Sequence, residues 1–487
     1  MSRRLTTFVL LVLLLVGVGW LVSNRTPAPR PPVSLPPPSS VAASPSTTNA
    51  PIDLPDGISV EVGDDLQSII DANPPGTTYI IAAGTHRLQV AIPKDGDRFF
   101  GEPGAIVSGA TVLTDFSEVD GTWVAEGQNQ ERGQSDLRCI EGYSGCQFSE
   151  DVFIDGVMLW QVTELADLEP GTFYFDYAND RIHLANDPAG RVIEASLALT
   201  AAFDGPATDV HIEGLIVQMY QTGIRAFDGD RWTITHNEVR LNHGNGIRGG
   251  DFARIIGNHT HHNGAYGMSA YQANDMVIQG NEIAYNNTAG FEGAWDAGGT
   301  KFAECSGILI ADNHVHHNFG TGLWVDGAGT DVIYENNLVE LNERHGISHE
   351  ISYATVIRNN IVRDNGLYGI YVSGSPDVEV VGNEVTGNGD RAIWGFYDPV
   401  RGSGPLGPYE LRNLYVHDNL ISSTTGITGI DHKGSAPEIF TGWNNRFDNN
   451  TYELPGDARL FLWGGRALTF AEWQAQGNDV SGSRIDP

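Results

Sequence analysis

Short runs of alternating apolar and polar residues, each closed by asparagine, recur along the second half of the chain. The segments "ITHNEVRLN", "IIGNHTHHN", "VIQGNEIAYN", "LIADNHVHHN", "IYENNLVELN", "IRNNIVRDN" and "VEVVGNEVTGN" align on Asn237, Asn258, Asn281, Asn313, Asn337, Asn360 and Asn383. Each has a second asparagine five residues later, from Asn242 to Asn388. The spacings are 21, 23, 32, 24, 23 and 23 residues, and a weaker copy, "LYVHDNLISS" with Asn419, follows after 36. Alternation of this kind predicts strands with one buried face. A fixed short period predicts stacked repeats. A unit of about 23 residues is too short for a propeller blade and lacks the leucine pattern of a leucine-rich repeat.

Such a unit suits one coil of a parallel β-helix, where each turn lays its strands on those of the turn before. Asparagines repeated at one corner suit left-handed turns, and their amides can hydrogen-bond up and down the stack. On these motifs, residues 200–450 resemble the right-handed parallel β-helix proteins, the pectin-lyase-like fold. The segment "DDLQSIIDANPPGTTYIIAAGTHRL", residues 64–88, resembles that family's entry, an amphipathic cap followed by the first coil. The resemblance covers most of residues 52–450. It implies an all-β chain, a single-stranded right-handed parallel β-helix with an N-terminal cap and a small β excursion. It implies little about activity, because this fold carries lyases, hydrolases, epimerases and non-enzymatic adhesins.

The remaining segments are placed by composition. In residues 1–25, Arg3 and Arg4 precede an uncharged apolar run, Phe8 to Val22. Basic residues followed by an apolar run direct the rest of the chain outward, so an uncleaved membrane anchor is expected, with a cleaved signal peptide as the alternative. The body is therefore expected outside the cytoplasm, anchored at the cell surface or secreted. Residues 26–51 are a Pro/Ser-rich linker, unable to bury a core. Residues 52–114 read as the cap and first coils, and 115–190 as a β-hairpin excursion around "ND" turns. Residues 191–450 form the β-helix, and 451–487 a cap over its open end, which otherwise exposes unpaired strand edges. Cys139 and Cys146 are close enough to pair in an oxidising compartment or remain two thiols, and Cys305 is left over.

A formal charge of −33 excludes a general nucleic-acid binder, which needs clustered Lys and Arg. It also speaks against a long polyanionic substrate unless the groove is locally basic or a cation bridges the two.

Each coil carries a further strand after a glycine: "GIRGGD", "GMSAYQ", "GFEGAW", "GLWVDG", "GISHEI", "GIYVSG" and "AIWGFY". Strand side chains alternate. The residue after glycine is apolar and inward, so the next points out: Arg248, Ser269, Glu292, Trp324, Ser348, Tyr371, Trp394. Two further along, Tyr271, Ala294, Asp326, Glu350, Ser373 and Phe396 also point out. Asp326 and Glu350 are then adjacent, about 4.8 Å apart at the backbone. Like charges so placed repel unless something uses them. Close carboxylates split their proton affinities into an acid and a base, or share a cation such as Ca²⁺. Trp324, Tyr371 and Trp394 predict an exposed aromatic line suited to sugar faces. The expanded loop "GAWDAGGTKFAEC" brings Trp295, Asp296 and Lys301 to the edge of this sheet, Lys301 as acid–base partner or substrate clamp.

His349 points inward beneath Glu350 by alternation; it is a catalytic candidate because a bulge at the strand end would turn it outward. Arg344 and His345 lie in the preceding turn, and Asp431, His432 and Lys433 bound the far end. A ligand set of His259, Glu282 and His314 spans about 9.6 Å, too wide for two imidazoles on one ion, so solvated turn histidines are expected there.

The function expected is that of an extracellular carbohydrate-active enzyme acting on a polysaccharide as a monomer. Paired carboxylates suggest a glycoside hydrolase with Asp326, Glu350, Lys301 and His349 in catalysis. Trp324, Tyr371, Trp394, Trp295, Asp296, Arg248 and Arg344 would bind substrate. One alternative is a lyase or uronate epimerase, with a base among Lys301, Arg344 and His345 and Ca²⁺ on the carboxylates. Another is a non-catalytic glycan-binding or structural surface protein. No cofactor is assigned.

Overall fold

The computed structural model describes residues 54–486 except 131, 132, 134 and 424. The apolar run at 8–22 and the whole linker, 26–51, lie outside these residues. Among the described residues no helix is long and apolar enough to cross a membrane.

Three sheets of 13, 13 and 12 strands form the body, parallel throughout except for the antiparallel last pair of the third, Phe461–Trp463 with Arg466–Leu468. From Ala201 onward each regular coil gives one strand to each sheet; the first coils, before residue 109, contribute only to the first two. In one coil these are Thr233–Thr235, Glu238–Arg240 and Asn245–Gly249, with Ile234, Val239 and Ile247 fully buried. Stacking is in register: Ile234 pairs with Ile255, Ile255 with Ile278, and Ile278 with Ile310. A three-residue strand can bury one side chain inward and leave two outward, so the core is a set of columns of inward Ile, Val and Leu.

Two asparagine ladders fix the corners. Asn337 is typical. Its Oδ1 accepts the N–H of Asn313 (3.0 Å) and the Nδ2 of Asn313 (2.9 Å). Its Nδ2 donates to the Ile310 carbonyl (2.9 Å) and to Asn360 Oδ1 (2.9 Å). The left-handed backbone expected of these asparagines falls instead on the residue before each one, as at His236 (φ 53°), Asp312 (φ 56°), Asn336 (φ 56°) and Asn359 (φ 56°). The division follows from geometry: the residue before turns the corner, and the asparagine side chain is freed to point inward and stack. The first ladder ends on Asp479, whose Oδ1 accepts from Asn450 N (3.0 Å) and Nδ2 (2.8 Å) and whose Oδ2 accepts from Tyr452 Oη (2.7 Å) and Trp473 Nε1 (2.8 Å).

The N-terminal end is closed by a helix, Leu66–Ala72, capped by Asp65 and burying Leu66 and Ile70. At the other end the helix Phe470–Ala475 starts with a Thr469/Glu472 capping box and buries Trp473. The last segment is more than a lid, since Thr451–Glu453 and Ser483–Ile485 continue the second sheet.

The excursion leaves the coils as strands that pair antiparallel except for Trp160–Val162 with Thr172–Asp176. Ala110–Leu113, Val152–Ile154, Val157–Met158 and Ile193–Ser196 form one sheet. A second, of 5 strands, packs on it around Phe173, Phe175 and Ile182. Cys139 and Cys146 form a disulfide, and Cys305 is a buried free thiol. The excursion is tied to the coils through buried His243, whose Nδ1 meets Asp151 (3.1 Å) and whose Nε2 meets the Cys146 carbonyl (3.0 Å).

Candidate active site

The third sheet carries most of the candidate residues named from the sequence. Its outward positions form two columns. Arg225, Arg248, Ser269 and Lys301 follow one another in register, and Tyr271, Ala303, Asp326, Glu350, Ser373, Phe396 and Asp431 make the second. One register differs from the sequence expectation. "GFEGAW" is not the strand of its coil; Gly298–Ala303 is. Lys301 therefore stands on the sheet where Glu292 was expected, and Glu292 belongs to the preceding loop, its N–H bonded to the Arg138 carbonyl (2.7 Å). The longer coil absorbs its extra residues before the strand, so a motif beginning with Gly290 was displaced by one beginning with Gly298.

Asp326 and Glu350 are direct neighbours on adjacent strands. Each has its own cation. Lys301 Nζ lies 3.0 Å from Asp326 Oδ2, donates to the Trp295 carbonyl (2.7 Å) and sits 3.8 Å from the centre of the Trp324 ring. Arg401 Nη2 lies 2.6 Å from Glu350 Oε1. Arg401 comes from an overhanging loop that the repeat pattern does not predict. Asp398 caps the short helix Pro399–Arg401, and Lys433 pins Asp398 at 2.8 Å. The hairpin that follows, Ser403–Gly404 against Gly407–Pro408, is held by Tyr353 Oη donating to the Gly407 carbonyl (2.8 Å). The available signal was the 36-residue spacing between Asn383 and Asn419, together with "YDPVR", an Asp–Pro helix start.

The Glu350 carboxyl is pushed up in pKa by burial and then by the charge of Asp326, against the opposing pull of Arg401, Lys301 and Arg344. Backbone strain adjoins it. Gly327 and Gly374 turn the corner after Asp326 and Ser373, but after Glu350 the same left-handed turn falls on the β-branched Ile351 (φ 39°), a conformation costing about 1–3 kcal/mol and found mostly at functional sites.

Other expectations need correction. The aromatic line points outward but is not open: Trp324 and Trp394 are each only 4% exposed. Lys301 covers the first, and the Arg391 guanidinium covers the second at 4.0 Å. Tyr371 is half-buried and stacked by His345 at 5.0 Å. A sugar ring could stack on these faces only by displacing their covers. His349 is fully buried, as alternation requires, with Nε2 on the Tyr353 carbonyl (2.8 Å) and its pKa pushed down to about 4 by burial. It cannot touch a substrate and supports the strand from beneath.

Trp295 is half-exposed on the loop, with the Arg138 guanidinium 4.8 Å from its ring centre; Asp296 accepts the Arg138 N–H at 3.0 Å. Trp324 Nε1, Arg344 Nε and His345 Nδ1 are buried and have no hydrogen-bond partner among the described residues. Burial pushes the His345 pKa down to about 3.

The donor set does not suit Ca²⁺. It offers two carboxylates, both already on cations, where this ion takes six to eight oxygens. On the second sheet Glu282 meets His316 at 3.2 Å and His259 at 3.9 Å, and His314 turns to Glu340 at 3.0 Å. Among the described residues no group of three or more His, Cys, Asp or Glu is arranged to hold a metal.

Residues 222–388 match the family model of the right handed beta helix region. XylC, solved in complex with xylose, superposes with a TM-score of 0.63 at 14% identity, over 87% of this chain and 79% of that one. This is a right-handed parallel β-helix protein. The A-module of the Azotobacter vinelandii mannuronan C-5 epimerase AlgE6 gives a TM-score of 0.55 at 14% identity, over 89% of this chain and 97% of that one. No curated protein matches the sequence. At such identities the likeness concerns the fold of the β-helix, and its chemistry has to be read from its own residues.

Proposed function

We propose that this β-helix is a glycoside hydrolase that cleaves with retention, Asp326 acting as nucleophile and Glu350 as general acid and then general base. The observation that carries the reading is the in-register pair of outward carboxylates on adjacent strands. Strand neighbours lie about 4.8 Å apart at the backbone. Carboxyl groups about 5–5.5 Å apart serve retaining cleavage, whereas inverting enzymes need about 6.5–9.5 Å to admit water. The two environments differ in the required sense. Asp326 contacts an ammonium, while Glu350 is the more buried and has its proton affinity raised. Glu350 would protonate the leaving oxygen as the Asp326 carboxylate attacks the anomeric carbon. Water, losing its proton to Glu350, would then release the sugar and regenerate Asp326. The nitrogens of Trp324, Arg344 and His345 are buried without a partner, so they would meet sugar hydroxyls only once the side chains over them move aside. XylC, solved with xylose, lends the reading support at the level of fold.

Proton abstraction, as in a lyase or epimerase, fits less well. Lys301 is bound to Asp326 and Trp295, and His345, with a pKa near 3, is too weak a base. We place the protein outside the cytoplasm, held by its N-terminal segment. The Cys139–Cys146 disulfide, a bond that persists in oxidising compartments, supports this.

The test is incubation of the purified protein with neutral and acidic glycosides and polysaccharides, reading reducing ends, product anomer and unsaturated-uronate absorbance together. Reducing ends with retained configuration are expected. Unsaturated products, or inversion, or silence across the panel would overturn the reading. Arg401→Ala should move the alkaline limb of the pH–rate profile upward. The acid works while protonated, the Arg401 charge lowers the Glu350 pKa, and its removal lets Glu350 keep its proton to higher pH. An unmoved limb would remove Glu350 from the acid role.

A further inference from the structure

Beside the carboxylate pair, on the N-terminal side of the same sheet, lies a cavity of about 270 Å³ whose lining includes Leu137, Asn245, Arg248, Ser269 and Lys301. Leu137 belongs to the segment leading into the Cys139–Cys146 loop, and the lining also takes in Asp296, whose carboxylate accepts the Arg138 N–H.

The cations of this sheet are unusual for so acidic a chain. The sequence has three lysines, Lys94, Lys301 and Lys433, and two of them lie on or beside this sheet. Most cations here are matched. Arg225 holds Asp204 (2.7 Å) and Asp228 (3.2 Å), Lys301 holds Asp326, Arg391 holds Asp390 (2.7 Å), Arg401 holds Glu350 and Lys433 holds Asp398.

Arg248 differs. It has no ion pair or side-chain hydrogen bond among the described residues, and its guanidinium lies 4.1 Å from the centre of the Phe227 ring. A guanidinium held over an aromatic ring and bonded to no side chain keeps its N–H donors available, and such a fork can grip a planar or tetrahedral oxyanion with two bonds. Burial first, and then the neighbouring charge of Arg225, weigh against its positive form, while the charges of Asp228 and Asp204 favour it; an anion in the cavity would add to that favour. Asn245 and Ser269 add neutral polar groups, as recognition of a substituted sugar needs.

We propose that this cavity is a subsite for an oxyanion substituent, a carboxylate or a sulfate ester, carried by a sugar further along the substrate, with Arg248 as its recognition residue. The inference deepens the glycosidase reading and rests on it for the word substrate, but the anion site stands on the cavity and the unmatched guanidinium. The strand of Arg248 is two strands, about 9.6 Å, from that of Lys301. That is too far to act on the bond cleaved at Asp326, and it suits a group held in a neighbouring subsite.

The test is calorimetric titration of the full-length protein at low salt with glucuronate, glucose 6-sulfate and glucose, repeated on Arg248→Gln, with thermal melting to establish that the variant folds. The wild type should bind at least one anionic sugar about tenfold or more tighter than glucose, the scale of one charge-assisted hydrogen bond. Arg248→Gln should bring the two within about twofold. Preference for glucuronate alone makes the group a carboxylate, and for the sulfate alone a sulfate ester. No anionic preference in the wild type, or a preference that survives in a folded Arg248→Gln, overturns the proposal. Because binding is read without turnover, an absence of hydrolysis would strike the glycosidase reading and leave this result to stand or fall by itself.

Discussion

Under the proposed retaining mechanism, exchange of Asp326 for Asn is expected to lower kcat/KM for glycoside cleavage by on the order of 10⁴-fold, because no covalent intermediate can form without the carboxylate. Glu350→Gln should behave differently, and the contrast is the stronger test. On a sugar leaving group, which needs its oxygen protonated, the loss should be about 10²–10⁴-fold. On an activated aryl glycoside, whose phenolate departs unaided, formation of the intermediate should be nearly unaffected, and the slow step becomes its hydrolysis. A burst of phenolate followed by a slow steady rate would be seen in Glu350→Gln and be absent from Asp326→Asn. Both variants should melt close to the wild type. Lys301 keeps the Trp295 carbonyl and the Trp324 ring when Asp326 is made neutral, and Arg401 lies on a solvent-facing loop. Equal losses on both kinds of substrate would mean that the two carboxylates do not divide the work and would return them to a structural role.

Asp326 and Glu350 could be paired from sequence because their two coils have lengths within one residue of the period, so alternation carried the register across without a gap. The coil before them could not be read in the same way. Its extra residues enter before the strand, and both "GFEGAW" and "GGTKFA" satisfy a glycine followed by alternation; hydrogen bonds to Tyr266–Tyr271 select the second. Lys301 was nevertheless singled out, though as a loop residue.

Arg401 was invisible for a related reason. It reaches Glu350 across 51 residues of chain, on an excursion whose conformation depends on the Asp398–Lys433 contact and not on any periodicity. Burial of Trp324 and Trp394 was missed because alternation tells which face a side chain takes and says nothing of what lies over that face. Lys301 and Arg391 cover them, one from the neighbouring strand and one from the start of the same strand. Periodicity reads backbone and register well. The chemistry of the site depends on the departures from it.

The asparagines show the same division in a form that stability measurements can separate. If Asn337 were there to turn the corner, glycine would replace it at little cost, since glycine adopts left-handed backbone freely. The ladder predicts the reverse. Removing the Asn337 amide leaves the Asn313 N–H and Nδ2 and the Ile310 carbonyl short of partners in a buried stack. An unsatisfied buried group costs about 1–3 kcal/mol, so Asn337→Gly or Asn337→Ala should destabilise the coil by roughly 3–6 kcal/mol even after partial relaxation. Asn336, one residue earlier, has the left-handed backbone (φ 56°) and is the true corner; Asn336→Gly should change stability by less than about 1 kcal/mol. Urea unfolding of the three variants decides the matter. A large fall in midpoint for both Asn337 variants with little change for Asn336→Gly is expected. Asn337→Gly within about 0.5 kcal/mol of the wild type would mean that strand pairing alone sets the stack and that the repeated asparagines are only its turns. In a stacked array each coil is held by its two neighbours. Asn337 lies on the coil between Asp326 and Glu350, so the same substitution should also weaken the register that brings the two carboxylates together, and activity should fall before the protein unfolds.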